Sequence, residues 1–275
     1  MIRLTSRRRK IAEYLETLYC GYNRREYVSP DPLQFLYPYG RTEDREIAAL
    51  VASSLAYGRV TMILRSVGEL LNAMGPSPRA FVEDGSPEEW RERFRSFRHR
   101  FTGGDDVVCL LEGVRRMVAA DGSLGAALAR GRRERGSLVG ALDALVERLE
   151  AGRRNSLLSR PSQGSACKRH FLLLRWMTRQ DDVDPGGWKD LNPAELVVPL
   201  DTHMYRICRA LRFTRRKSAD LKTAEEITAV FRLMRSDDPV RYDFTLTRFG
   251  IRSDLEQEDL IEQCRRRGST APKPD

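Results

Sequence analysis

The residues best placed to do chemistry lie in one stretch, Val197-Val198-Pro199-Leu200-Asp201-Thr202-His203-Met204-Tyr205-Arg206-Ile207-Cys208-Arg209-Ala210-Leu211. A short apolar approach ends in proline, and an acid then opens an amphipathic helix. An aspartate at that point caps the helix through its first-turn amides and can still face outward. It either does no more than cap, or it also stabilises positive charge that develops on a bound substrate. Metal chemistry is not expected. Only three histidines occur, His99, His170 and His203, and His203 reads as a structural hydrogen-bonding residue near the helix start. Asp181, Asp182 and Asp184 crowd one polar turn, where a solvated acidic loop is expected rather than a site for a hard cation. The cysteines, Cys20, Cys109, Cys167, Cys208 and Cys264, stand far apart with no CxxC pair, so reduced thiols are expected. No cofactor is expected either.

The segment around Asp201 resembles the signature of the helix-hairpin-helix DNA glycosylases, a superfamily that includes endonuclease III and the 8-oxoguanine glycosylases. Pro199, Leu200, Asp201, Thr202, His203 and Arg206 match its order of residues. The family's aspartate is catalytic, so the resemblance gives Asp201 that role. The run from Ile47 to Gly58 is similar to the family's early buried helix, whose end meets the DNA; Tyr57 stands where many members place a glutamine. The run from Tyr242 to Gly250 is similar to the late helix that ends in glycine. The hairpin itself departs from the pattern, and position 183 is valine. Two lysines remain as candidates. Lys189 follows Asp184-Pro185-Gly186-Gly187-Trp188 but stands too close to Asp201 for an intervening helix. Lys168 stands 33 positions before Asp201. That separation resembles the archaeal 8-oxoguanine glycosylase branch, whose lysine sits on a helix. Lys168 is therefore preferred, Lys189 is the weaker candidate, and a site without a catalytic lysine stays open. The 166–206 segment also resembles an uncharacterised bacterial protein family with the pattern Cys-Lys-Arg, Leu-Arg-Trp-Met, Asp-Asp-Val-Asp and Pro-Leu-Asp-Thr-His, which brings no activity with it.

The resemblance implies a definite chemistry. Breaking an N-glycosidic bond builds positive charge on the deoxyribose, which a carboxylate near C1′ stabilises. A lysine amine that attacks C1′ forms a Schiff base, after which the strand can be cut by elimination. The amine must be neutral to attack, a state favoured by burial and by neighbouring cations; Arg169 and His170 adjoin Lys168. The target base must leave the duplex for a pocket with aromatic or apolar walls. Tyr57 and Trp188 are candidate walls, whereas Phe171 and Trp176 are expected in the core. Backbone amides at Gly186 and Gly187 are candidates to meet a phosphate, and His203 and Arg206 complete the substrate-binding set.

Helical periodicity supplies the elements that must position these groups. Residues 6–22 carry Ile11, Tyr14, Leu15 and Leu18 on one stripe. Prolines 30, 32 and 38 impose an irregular stretch over 29–40. Thr42 is the expected cap of a central, mostly apolar helix over 44–57 that Gly58 ends. Helices are expected over 61–74, 87–101, 105–120, 123–129 and 137–151, with 130–136 an exposed charged loop. Ser165 caps a helix over 166–179. A short turn over 193–198 leads to the helix that Asp201 or Thr202 caps, which runs to about Leu211, and 222–235 and 239–249 are helical. No alternating strand pattern appears.

Composition bounds the rest. The chain has 275 residues and a net charge of +9, mostly from arginine, which favours a polyanionic partner. No apolar run reaches the roughly 18 residues of a membrane span, and no secretory signal opens the sequence. The expectation is an all-α, two-lobed, glycosylase-like domain over 1–265 with a central cleft. One lobe would span about 41–165 and the other would combine 1–40 with 166–265; residues 266–275 would form a disordered tail. The expected protein is a cytoplasmic, nucleoid-associated monomer that binds damaged or mismatched duplex DNA, with no membrane contact. Its expected activity is base excision with or without strand cleavage. A non-catalytic DNA- or RNA-binding module and a nucleoside- or RNA-directed enzyme remain as alternatives.

Overall fold

The computed structural model describes residues 4–269, which are all-α apart from one short hairpin. Helix α1 (Ser6–Tyr22) buries Ile11, Leu15 and Leu18 along the expected stripe, with Thr5 capping its first turn. After a 3-10 turn at Pro32–Leu36 comes α2 (Thr42–Ser54), buried from Glu46 to Ser54. A helix apolar on every side belongs in the middle of a fold, and α2 packs against the Pro32–Leu36 turn, α9 (Lys168–Thr178) and α4 (Pro78–Asp84). Between them run α3 (Val60–Met74), α5 (Pro87–Phe94), α6 (Gly104–Asp121), α7 (Leu124–Arg135) and α8 (Leu138–Glu150). Beyond α9 come α10 (Thr202–Ala210), α11 (Leu221–Met234), α12 (Asp243–Ile251) and α13 (Gln257–Gly268), the last packed against α1.

Buried charge ties these layers together. Glu46 on α2 is fully buried, and its carboxylate accepts the Leu124 and Gly125 amides at 2.9 and 3.1 Å and the Trp188 indole N–H at 2.8 Å. The acid thus meets the N-terminus of α7, where amides are free and the helix dipole favours an anion. Burial still raises its pKa, against the pull of these hydrogen bonds. A second knot joins α9, the turn after it and α12. Asp184 accepts Arg175 Nε and Nη2 at 3.1 and 3.0 Å and also Arg179 Nη1; Arg175 Nη1 reaches Asp243. Arg179 further contacts Asp181 and Asp238. Burial alone would lower the pKa of Arg175, but Asp184 and Asp243 more than offset it and leave it raised. The acidic turn is therefore a buried ion-pair knot and not the expected solvated loop, with only Asp182 exposed among its three acids.

Several elements differ from the sequence expectation. Helix α2 begins at Thr42, with Arg41 at the cap position and no side-chain cap, and it ends at Ser54. Tyr57 leaves the helix because its hydroxyl bonds to the His99 carbonyl and to Thr102. The helix expected over 87–101 stops at Phe94, and residues 98–103 fold into the hairpin β1 (Arg98–His99) and β2 (Thr102–Gly103), with Arg100 at φ 56°. Two-residue strands are too short to leave an alternating pattern. Ser77 and Pro78 open α4, an element the periodicity did not give. Residues 130–135 continue α7 instead of looping: Gly131 faces Ala141 of α8, and Arg130 and Arg132 pair with Asp121 and Glu195. Ser165 does not cap α9; Cys167 stands there at φ 45° with no side-chain cap. Finally, α13 runs to Gly268, into the segment expected to be tail, and residues 270–275 lie outside the described residues.

Candidate functional site

Lys168 is the first residue of α9, and Leu172 and Arg175 follow it at helical spacing on one face. Asp243, Thr247 and Ile251 repeat that spacing on α12. Both faces line one pocket of about 290 Å³. Asp201 and His203 at the start of α10 close it on a third side; Asp31 and Pro32, with Ala56, Gly58, Val60 and Ile63, complete the wall. The approach to Asp201 is rigid, because the Val198 amide bonds to Thr228 on α11 at 3.0 Å and Leu200 is buried. Asp201 caps α10 through one oxygen, which accepts the Met204 amide at 2.7 Å. Capping and a second use are thus compatible, as the sequence reading required.

The structure brings Lys168 and Asp201, 33 positions apart, into the same pocket. Lys168 Nζ donates to the Ala56 carbonyl at 3.4 Å. Neither side chain takes part in an ion pair among the described residues, whereas the other pocket charges are paired: Arg175 with Asp243, and Arg248 with Asp31 at 2.6 Å. The lysine and the N-cap aspartate are therefore the charges left for a ligand. His203 also lines the pocket, with Nδ1 unpartnered, and its ring lies so close to Gly250 that a Cβ there would sit 2.1 Å from Nδ1. This close approach is the physical reason for a glycine at the end of α12.

Other residues singled out by sequence lie elsewhere. Lys189 is exposed and outside the pocket, so it does not stand beside Asp201. Trp188 is buried against Gly125 with its indole N–H on Glu46, a core position and not a pocket wall. The glycine turn is also turned inward. The Gly186 amide bonds to the Trp176 carbonyl, a Cβ on Gly187 would strike Thr42, and Arg45 takes the Gly186 carbonyl at 3.1 Å. His170 is fully buried next to Ser159; burial, with Arg169 beside it, depresses its pKa to about 3, so it is a neutral core residue. Arg169 holds the Ser54 and Ser156 carbonyls and lies over the Tyr57 ring, acting as a brace between α9 and the end of α2. Arg206 is exposed and pairs with Glu258. Tyr57 is half-buried and does not line the pocket as expected, although Ala56 and Gly58 on either side of it do; its ring is stacked on the exposed Phe101 at 5.1 Å.

Sequence reasoning missed Asp31, Arg175, Asp243 and Arg248. A signal existed for three of them: Arg175, Asp243 and Arg248 each interrupt an apolar run, Leu172 to Met177 and Tyr242 to Phe249. Charges in such positions are buried only when paired. No helix among the described residues is long and apolar enough to cross a membrane. No curated protein and no solved structure matches the chain. The match to a family model covers residues 31–252, a span that holds every pocket residue named above, and on it the chain belongs to the DUF2400 family, described as protein of unknown function.

Proposed function

We propose that the protein is a DNA glycosylase that excises a damaged or mismatched base, with Lys168 as nucleophile and Asp201 as the carboxylate that stabilises charge on the sugar. The observation that carries this reading is the convergence of an unpaired lysine and an unpaired N-cap aspartate on one small pocket. Its volume of about 290 Å³ lies at the lower edge of the roughly 300–1,000 Å³ typical of ligand pockets, a size suited to one flipped base and not to a longer ligand. Leu172, Ile63, Val60 and Pro199 give it apolar walls. Attack of the neutral amine on C1′ gives the Schiff base from which strand cleavage follows.

The fold belongs to this proposal too. Residues 41–165 form one lobe and the N-terminal helix with 166–265 the other; both contribute pocket residues, as a cleft between lobes requires. The net charge of +9 supplies the attraction to phosphates. Phe101, 68 % exposed on the hairpin tip and stacked on Tyr57, offers a base-stacking platform near the pocket. The protein acts as a monomer on duplex DNA in the cytoplasm, at the nucleoid.

Borohydride trapping tests the reading. Wild type incubated with an abasic-site duplex and borohydride gives a covalent adduct, and Lys168→Ala gives none. A lesion panel that yields neither adduct nor base release, with tight duplex binding retained, leaves a non-catalytic binding module. Preference for structured RNA at matched salt leaves an RNA-directed protein.

A further inference from the structure

Asp243 is one of three carboxyls in the pocket, with Asp201 and the Arg248-paired Asp31, and the geometry gives it work that neither Lys168 nor Asp201 can do. It lies on α12 across from Lys168 and lines the pocket while 97 % of its surface is out of solvent, its exposure being 3 %. Its two oxygens differ. Oδ2 is held by the Arg175 guanidinium, whereas Oδ1 has no hydrogen-bond partner. An unpartnered buried oxygen is costly, and it is tolerated where a ligand completes it or a proton neutralises it. We propose that Asp243 carries that proton and delivers it from Oδ1 to the departing base, acting as the general acid of the reaction. This assignment rests on the glycosylase reading above.

The surroundings raise the share of the protonated form. Burial pushes the Asp243 carboxyl up to about 6; Arg175 opposes this, and Asp201 and Asp184 add to it. The groups that face it are Arg175 on α9, Asp184 in the turn after α9, Asp201 at the cap of α10 and Cys208 on it, and, around the same pocket, Lys168, His203 and the Arg248–Asp31 pair. Two carboxyls that share a site avoid double ionisation, and the more buried one keeps the proton. Asp201, capping α10 and less buried, keeps the anionic part beside the sugar.

The step balances. The C1′–N bond breaks and its electron pair goes to the base. The Asp243 proton moves to the base, which leaves as a neutral molecule. The Lys168 amine forms the new bond to C1′, becoming positive, while Asp243 becomes an anion. Without the acid, the base must depart as an anion. General acids of this kind contribute about 10²–10⁴-fold.

The test separates the two half-reactions. Base release needs the acid; trapping at a preformed abasic site has no base to expel. Asp243→Asn keeps an oxygen for Arg175 but holds no acidic proton. It should slow base release by about 10²-fold or more while still trapping on the abasic duplex, which also reports that it is folded. In wild type, the slope of single-turnover base release against pH should change as pH rises through about 6, where the acid loses its proton, and Asp201→Asn should move that break to lower pH by removing a like charge. Asp243→Asn that releases base at the wild-type rate overturns the assignment alone, as does loss of release and trapping in equal measure, which marks a structural role. A wild-type profile without that break also overturns it. Wild type that neither traps nor releases overturns the repair reading itself, and this assignment with it.

Discussion

Asp184→Ala is the substitution whose consequence follows most directly from the buried knot. The side chain is 0 % exposed and accepts Arg175 Nε and Nη2 and Arg179 Nη1. Its removal strands two guanidiniums that are themselves 3 % exposed. Arg175 keeps Asp243, and Arg179 keeps Asp181 and Asp238, so neither is left wholly alone. Breaking one partner out of a buried ion pair costs about 3–5 kcal/mol. For a chain of this size that corresponds to a fall in Tm of about 6–20 °C, at roughly 2–4 °C per kcal/mol, out of a total stability on the order of 5–15 kcal/mol. Urea unfolding followed by circular dichroism measures it, with Asp184→Asn alongside. Asparagine keeps one acceptor oxygen and should lose less than alanine. A loss under about 1 kcal/mol for Asp184→Ala, the size of an ordinary surface ion pair, would show that the remaining acids or water take over both arginines and that the knot does not hold α9 to α12.

Four further outcomes are expected. His170 has its pKa depressed to about 3 in the fold against 6.5 in the unfolded chain, so the unfolded state takes up the extra proton and stability falls as pH drops below 6.5. Between pH 7 and pH 5 wild type should lose about 2 kcal/mol more than His170→Gln, from roughly 1.4 kcal/mol per pH unit; urea unfolding at the two pH values reads the difference, and Asp243 cancels in the comparison. Gly250→Ala puts a methyl into the His203 ring and should cost about 1–3 kcal/mol by overpacking, read as a lower Tm together with weaker activity at the pocket. Asp201→Asn should leave stability within about 0.5 kcal/mol, because asparagine caps as well as aspartate, while base release slows by about 10²–10³-fold; duplex binding by fluorescence anisotropy should be unchanged. Phe101→Ala should weaken duplex binding by about 1–3 kcal/mol, the worth of one stacked base, without changing Tm, since the ring is 68 % exposed.

Much of the helical frame was legible because its signals are local. The stripe of α1, the apolar run of α2 and the aspartate that opens α10 are readable from spacing and capping alone. What failed depended on tertiary contact. The charged stretch 130–135 reads as a loop by composition, yet it is helix because Gly131 fits against α8 and its arginines find acids on other elements. Trp188 reads as a candidate pocket wall and the glycine turn as a candidate phosphate contact because polar neighbours surround them in sequence; in space Glu46 and α2 cover them. The site divides in the same way. Asp201 follows from its cap position, and Lys168 from its separation and the resemblance. Asp243 shows in the sequence only as a charge that interrupts an apolar run; its character comes from Arg175, Asp184 and Asp201, which approach from other parts of the chain.

The most direct measurement is the identity of the residue that carries the trapped adduct. The sequence holds six lysines among its 48 basic residues, Lys10, Lys168, Lys189, Lys217, Lys222 and Lys273, so peptide mapping of a borohydride-reduced complex can assign the bond without ambiguity. The adduct should fall on the peptide that contains Lys168 and vanish in Lys168→Ala. An adduct on Lys189 or on another lysine would contradict the account, because among the described residues Lys168 is the lysine that lines the pocket with Asp201.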